Sequence, residues 1–490
     1  MMSGDQSRED SHLEDTSRRA FLRTSAYTGA GLGAVGLFLR LACAKENAVA
    51  LASAGSTIAA ERNLLGKYLA VPGAKATLPV SAAKKGFSAD FVAEARKYFD
   101  NFHLQMGGDH ALYYNLRMSE FLPTAVAASA GPVKELEVAL DPGVGQVRFA
   151  TKEGRMTLDQ YVVHPHHRVQ GLLIAYKGRI VYEAYPGMNK EDHHTWMSAT
   201  KSTVGLVCAL LEAEDKVDMQ RQIVDYVPEL KRTSWDGVTV LNTLNMSPGL
   251  DIEENAKTAL DPTSFNVRFL SAAVGAPVPG TTRVEHWLDV VKEAKTLPNE
   301  RQGEVMRYSS VNTMVLSYMA EKIENKPWID IVHQRVWSKL GARGPIMINL
   351  TPEGMAMAMG LAASSMEDFA RYGMLYTPSW NKVAYDQVVP PAVLKRIQTA
   401  GNTRAYKKSD KFPIHWYNFG EKPRSNSFQF DDVFADGALF KSGNLCQGIY
   451  VDPGRDVVGV YFSTNPYVPP YGEDKAPGFI RRAAKMLAKK

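Results

Sequence analysis

Cysteine is scarce in this chain. Its 490 residues carry three, Cys43, Cys208 and Cys446, which excludes a disulfide framework and a Cys-rich zinc site. An excess of one charge is also missing. Lys and Arg total 57 against 52 for Asp and Glu, too even a balance for a nucleic-acid groove or a polybasic membrane surface. No uncharged stretch reaches the roughly 20 apolar residues that a spanning helix needs. No Gly-x-Ser-x-Gly elbow, His-Glu-x-x-His pair or phosphate-cradling loop is present, so those routes to hydrolysis and nucleotide binding drop out. What remains has ordinary globular proportions, 45% hydrophobic and 22% charged. At about 150 residues per domain the length suits two or three domains, or one large α+β domain with insertions.

The first 16 residues are polar and acidic. Ser17-Arg18-Arg19-Ala20-Phe21-Leu22-Arg23 follows, and then an uncharged run over 24–39 with glycines at 29, 31, 33 and 36. The arginine pair with Phe-Leu resembles a twin-arginine export signal, and Ala42-Cys43-Ala44 offers a small-residue cleavage site. The resemblance implies a signal peptide over 1–44, the twin-arginine translocon as partner, a periplasmic or secreted protein, and no integral membrane span in the mature chain. An uncleaved anchor is the alternative. Lipidation of Cys43 is disfavoured by Arg40. The two remaining cysteines fall in apolar surroundings and are expected to be buried thiols.

Residues 45–160 read as an Ala/Ser-rich linker and an N-terminal extension, with a helix over 89–102. Two apolar runs, 169–176 and 179–185, flank Lys177-Gly178 and predict a β-hairpin. A nearly unbroken apolar stretch over 198–213 predicts a buried helix. Helices and loops dominate 215–400, for example at 314–323 and 365–376. Strands return at 437–441, 447–451 and 457–463, and a basic amphipathic helix closes the chain at 478–490. Strands at both ends with helices between them predict an α+β fold: an antiparallel sheet flanked by helices, with a large, mostly helical insertion, over 161–490.

Ser-x-x-Lys occurs at Ser198-Ala-Thr-Lys201, Ser81-Ala-Ala-Lys84 and Ser379-Trp-Asn-Lys382. Only Ser198 has an apolar helix behind it. A helix N-terminus favours a developing alkoxide. The i, i+3 spacing sets Lys201 one turn away, and burial lowers a lysine pKa towards that of a usable base. A serine N-cap with a snorkelling lysine would look the same locally. Arg307-Tyr308-Ser309-Ser310-Val311-Asn312 precedes an apolar helix; near lysines, Tyr308 could move protons, or simply be a core tyrosine. Phe440-Lys441-Ser442-Gly443-Asn444 ends a strand and offers a cation, a hydroxyl and open backbone. The amides of Asn444 and Ser198 could form an oxyanion hole.

In this order the three segments resemble the penicillin-recognising serine hydrolases, which include class C β-lactamases, D,D-peptidases, family VIII esterases and 6-aminohexanoate-dimer hydrolases. Leu244-Asn-Met-Ser-Pro-Gly-Leu-Asp251, the helix between Gly360 and Gly373, and Gln447–Pro453 extend the likeness. Asn115-Leu-Arg-Met-Ser-Glu-Phe-Leu-Pro-Thr-Ala125 and His415-Trp416-Tyr417 resemble the 6-aminohexanoate-dimer hydrolase branch. The resemblance implies Ser198 as acylated nucleophile, Lys201 as its base partner and Tyr308 as proton shuttle. It also implies Lys441, Ser442, Gly443 and Asn444 as substrate-holding groups, with Ser310, Asn312 and Trp416 as further candidate substrate-binding residues, and a small amide or ester as substrate, with no cofactor. The family's Tyr-x-Asn is Tyr308-Ser309-Ser310 here, with Asn312 two residues on. Ser310 weakens a β-lactam reading, whereas Lys441 suits a substrate bearing a carboxylate. Trp416 either walls the pocket or sits in the core. The histidines at 164, 166, 167, 193 and 194 lack a partner set and are expected to be loop residues, with no metal. A β-lactamase or D,D-peptidase, and a non-catalytic binding protein of the same fold, are the rival readings.

Overall fold

The computed structural model describes residues 69–261, 263–466 and 473–489. The expectations for the signal, its cleavage site and the Ala/Ser-rich stretch lie outside the described residues. No helix among the described residues is long and apolar enough to cross a membrane.

An eight-stranded sheet organises the chain. Its order is Ser425–Ser427, Phe430–Val433, Leu439–Gly443, Gln447–Asp452, Val457–Ser463, Val169–Tyr176, Arg179–Ala184 and Glu137–Val138, antiparallel throughout except for the last pair. Val457–Ser463 pairs with Val169–Tyr176, so two segments far apart in the sequence lie side by side, and residues 185–424 leave the large sheet as a largely helical body. Alternation along the strands assigns the two faces. Leu173, Ala175, Ile449, Val451, Val458 and Val460 join the larger core with helix Met366–Met374 and the helical body. Leu172, Ile174, Tyr450, Val457 and Tyr461 face a smaller core under helix Ala476–Leu487. Because both faces are covered, the strands read as continuous apolar runs.

The predicted hairpin, the sheet and the helical insertion are all present, with local differences. The helix expected over 89–102 is two helices, Ala89–Lys97 and Asn101–Met106, because Ser88 and Asp100 each cap a fresh start. The strand expected from 437 begins at Leu439, since Gly437 sits at φ +85° in the preceding turn. On the closing helix Arg481 is buried, with its guanidinium 2.6 Å from Glu421 and 3.0 Å from Asp436. Cys208 is buried and Cys446 half-buried.

Residues ahead of 160 pack on this body. Thr124–Ala127 pairs with Ile346–Asn349 in a second, four-stranded sheet completed by Ala362–Ser364 and His194–Thr195. That small sheet matters for function, because the chain leaves it at Thr195 and reaches Ser198 three residues later.

Candidate active site

Ser198 stands on a single 3-10 turn, Met197–Thr200, which feeds helix Lys201–Ala213. The expected helix therefore starts three residues later than its apolar run. Met197 explains the delay: it is held at φ +48°, a left-handed backbone that costs a non-glycine residue about 1–3 kcal/mol and persists only where its surroundings enforce it. Here Trp196 enforces it. Its ring stacks on Phe369 at 4.1 Å, its indole N–H donates to Ser364 Oγ at 3.0 Å, and its backbone N–H donates to the Ala362 carbonyl at 2.8 Å. The turn leaves Ser198 half-buried between buried neighbours.

Lys201 is fully buried one turn on. Its Nζ lies 3.0 Å from Ser198 Oγ and 3.1 Å from Ser310 Oγ, and it also donates to the Met359 carbonyl. Burial pulls its pKa down to about 7. Glu254 opposes that shift, Lys441 and Lys411 add to it, and Asp431 opposes it. Near neutral pH, Lys201 can therefore accept a proton from the serine beside it.

Tyr308 is buried next to this pair. Lys441 Nζ lies 3.4 Å from its hydroxyl. Three ammonium groups surround its ring, with Lys411 at 4.1 Å, Lys441 at 4.9 Å and Lys201 at 5.2 Å from the centroid. An aromatic face attracts cations, so the ring offsets part of the repulsion of bringing them together.

Lys441 is placed differently from an open cation. It is fully buried, and Asp431 on the neighbouring strand grips it at 2.8 and 2.9 Å. Asp432 pairs with Phe440, which puts Asp431 opposite Lys441, the position where opposite charges meet across a sheet. Burial pushes the Asp431 carboxyl up, but Lys441 and Lys411 outweigh it and hold the group well below the carboxylate range. Burial also lowers Lys441 to about 8, against the pull of Asp431. Ser442 turns to the same carboxylate, with its N–H at 2.9 Å and its hydroxyl at 2.5 Å. Asn444 donates its amide to the carbonyl and side chain of Gln105. Gly443 is needed for a close approach: a Cβ there would stand 2.5 Å from the Trp196 carbonyl oxygen. Without a side chain, the strand end runs directly alongside the Ser198 turn.

Ser310 opens helix Ser310–Glu324. Its hydroxyl donates to Glu254 at 2.6 Å while accepting from Lys201. Asn312 is buried with neither amide atom partnered, and two helical residues past Ser310 it is turned about 200° away. Trp416 is half-buried on helix Lys411–Phe419 with the Lys422 ammonium 4.1 Å above its ring. Ser81 lies in a separate 3-10 helix whose Lys84 donates to the Tyr185 carbonyl. Ser379 gives its hydroxyl to Asp456 at 2.6 Å. His194 is a packing residue, stacked on Phe462 at 4.3 Å and hydrogen-bonded to Gln170. No group of three or more His, Cys, Asp or Glu that could hold a metal occurs among the described residues.

Four contributors went unread in the sequence: Glu254, Asp431, Lys411 and the Met359 carbonyl. Asp431 had a signal, an acidic residue in the aromatic run Phe428-Gln-Phe-Asp-Asp-Val-Phe434, where burial demands a cationic partner. Met359 had none, because a backbone carbonyl leaves no trace in residue type.

Comparison with known proteins places this geometry. A curated 6-aminohexanoate-dimer hydrolase of Paenarthrobacter ureafaciens is 26% identical over 260 residues, which span 53% of this chain and 62% of that relative. A solved structure from Bacillus anthracis, provisionally assigned as a 6-aminohexanoate-dimer hydrolase, superposes with a TM-score of 0.63 at 18% identity, over 77% of this chain and 94% of that one. A family VIII carboxylesterase structure superposes with a TM-score of 0.48 at 14% identity, over 65% and 93%. The Beta-lactamase family model matches residues 157–480, which takes in both halves of the large sheet and the helical body between them. The chain belongs to the Beta-lactamase family and has the β-lactamase fold.

Proposed function

We propose that this protein is an exported serine hydrolase that cleaves linear amides or carboxylic esters through an acyl-enzyme on Ser198. The observation that carries the reading is the 3.0 Å contact between Ser198 Oγ and the buried Lys201 amine nitrogen, whose pKa of about 7 suits a general base. Ser198 Oγ attacks the substrate carbonyl as its proton passes to Lys201 Nζ. The oxyanion forms beside the backbone amides of Ser198 and Asn444, the residues that follow the close approach of Gly443 to Trp196 and Met197. Collapse breaks the bond to the leaving group, which takes a proton from Tyr308 Oη; Lys201 returns one to Tyr308. Water then attacks the acyl-enzyme, and the same groups run in reverse to regenerate Ser198.

Two placements favour linear substrates over β-lactams. Ser310, which stands where the family's asparagine would face a β-lactam side chain, already bonds Glu254 and Lys201. Lys441, the expected anchor for a carboxylate, is engaged by Asp431. Each lost hydrogen bond is worth about 0.5–1.5 kcal/mol, up to about tenfold in rate. A short-chain nitrophenyl ester and a linear aminohexanoate amide are therefore expected to exceed a cephalosporin in kcat/KM by at least about tenfold. A cephalosporin that wins by the same margin would install the β-lactamase reading instead. A non-catalytic receptor would have no use for a desolvated lysine against a serine.

Export is inferred from Arg18-Arg19 and the uncharged run that follows. Replacing both arginines with lysine is expected to leave the protein in the cytoplasmic fraction. Unchanged accumulation outside the cytoplasm would dismiss the twin-arginine route.

A further inference from the structure

The cations around the site have unequal obligations. Lys201 is committed to Ser198, Ser310 and the Met359 carbonyl. Lys441 is bound to Asp431 at 2.8 and 2.9 Å. Arg307, next to Tyr308 in sequence, is bound by Glu300 at 2.6 Å and Glu253 at 2.8 Å. Of the carboxylates, Asp431 is taken by Lys441 and Ser442, and Glu254 receives both the hydroxyl and the N–H of Ser310. Lys411 is the exception. It opens helix Lys411–Phe419, is half-buried, and rests its Nζ 4.1 Å over the Tyr308 ring without an ion pair to any described carboxylate. A half-buried ammonium held against an aromatic face has lost part of its hydration, and Asp431 and Asp410 act on it only through space, without a direct ion pair, so a carboxylate arriving there replaces missing solvation. The ring beneath it belongs to the residue read above as proton donor to the leaving group. A leaving group protonated by Tyr308 is thus next to the residue whose ring Lys411 covers.

We propose that Lys411, rather than Lys441, is the specificity residue of this enzyme, receiving a carboxylate carried on the leaving group of a linear substrate. The proposal rests on the acyl-enzyme reading of Ser198 and deepens it. It assigns the substrate class as linear amides or esters whose leaving amine or alcohol bears a terminal carboxylate. Lys411 forms one charge-assisted contact and takes no part in bond making or breaking.

The test compares a linear amide whose leaving amine ends in a carboxylate with its carboxamide counterpart, on the full-length protein. The wild-type protein is expected to favour the carboxylate in kcat/KM by about ten- to a hundredfold, the worth of one hydrogen bond to a charged group. In Lys411→Met that ratio should fall to near one, mainly through KM, and in Lys411→Arg it should be largely kept. Taking the ratio removes any general effect of Lys411 on Lys201, which both substrates share. A wild-type ratio near one, or a ratio unchanged in Lys411→Met, overturns the assignment. Fluorophosphonate labelling reports separately on Ser198. A labelled serine without carboxylate preference sinks only Lys411, whereas an unlabelled Ser198 sinks the acyl-enzyme. If neither amide turns over, equilibrium binding of the carboxylate amide decides: at least tenfold weaker binding to Lys411→Met supports the proposal, and equal binding refutes it.

Discussion

Ser198→Ala is expected to lower turnover of any ester or amide substrate by about 10⁴-fold or more, with the fold unchanged. Removing the nucleophile from such a group leaves only the residual acceleration of binding and oxyanion stabilisation. The substitution deletes one oxygen from a half-buried position whose backbone is held by Trp196 and its contacts with Phe369, Ser364 and Ala362, so thermal unfolding should be close to wild type. A fluorophosphonate should label the wild-type protein at Ser198 and leave the variant unlabelled. Ser81→Ala and Ser379→Ala should keep activity, because Ser379 spends its hydroxyl on Asp456 and Ser81 has its lysine turned to Tyr185. An adduct mapped to another serine, or turnover retained by Ser198→Ala, would remove the assignment.

Lys201 carries the second large effect. Lys201→Met should cost about 10²–10⁴-fold in kcat, the usual worth of a positioned general base. The pH dependence has a definite sign. The reactive form of Lys201 is neutral, and burial brings its pKa down to about 7, so protonation on the acid side removes the base. Below pH 7, kcat/KM should fall about tenfold per pH unit, roughly a hundredfold by pH 5. Glu254 favours the ammonium form of Lys201. Glu254→Gln should therefore lower that pKa and move the acid limb to lower pH. Asp410 also titrates at about 7, raised by burial and by Glu253. Because Glu253 and not Glu254 acts on it, a limb that moves in Glu254→Gln belongs to Lys201. A profile flat from pH 5 to 8, or a limb indifferent to Glu254, would show that Lys201 is not the base.

The large sheet was legible because its strands are buried on both faces, and uninterrupted runs such as Val169–Tyr176 and Val457–Ser463 have no other satisfactory state in water. That the two ends share one antiparallel sheet was legible from strands on both sides of a helical stretch, but the pairing of those two strands, nearly 300 residues apart, was not, since periodicity carries no information on partners. Ser198, Lys201 and Tyr308 were singled out by residue type and local context, and in the structure Lys201 meets Ser198 and lies over the Tyr308 ring. The 3-10 turn under Ser198 was not legible. Apolar periodicity runs straight through it, and the left-handed Met197 is imposed by contacts with residues 362–369.

By itself, then, the sequence determined the classes of residue available for chemistry, the α+β order of elements and the family. Those properties depend on composition, spacing and burial preference, which are local. Tertiary structure alone decided which charges are spent on the protein and which are left for a substrate. Lys441, Lys411 and Lys201 are equivalent as letters. They differ because strand register sets Asp431 against the first, the start of a helix lays the second on Tyr308, and desolvation lowers the pKa of the third to about 7. An ion pair forms or fails over a few ångströms, and distances of that size between residues far apart in the chain exist only after folding.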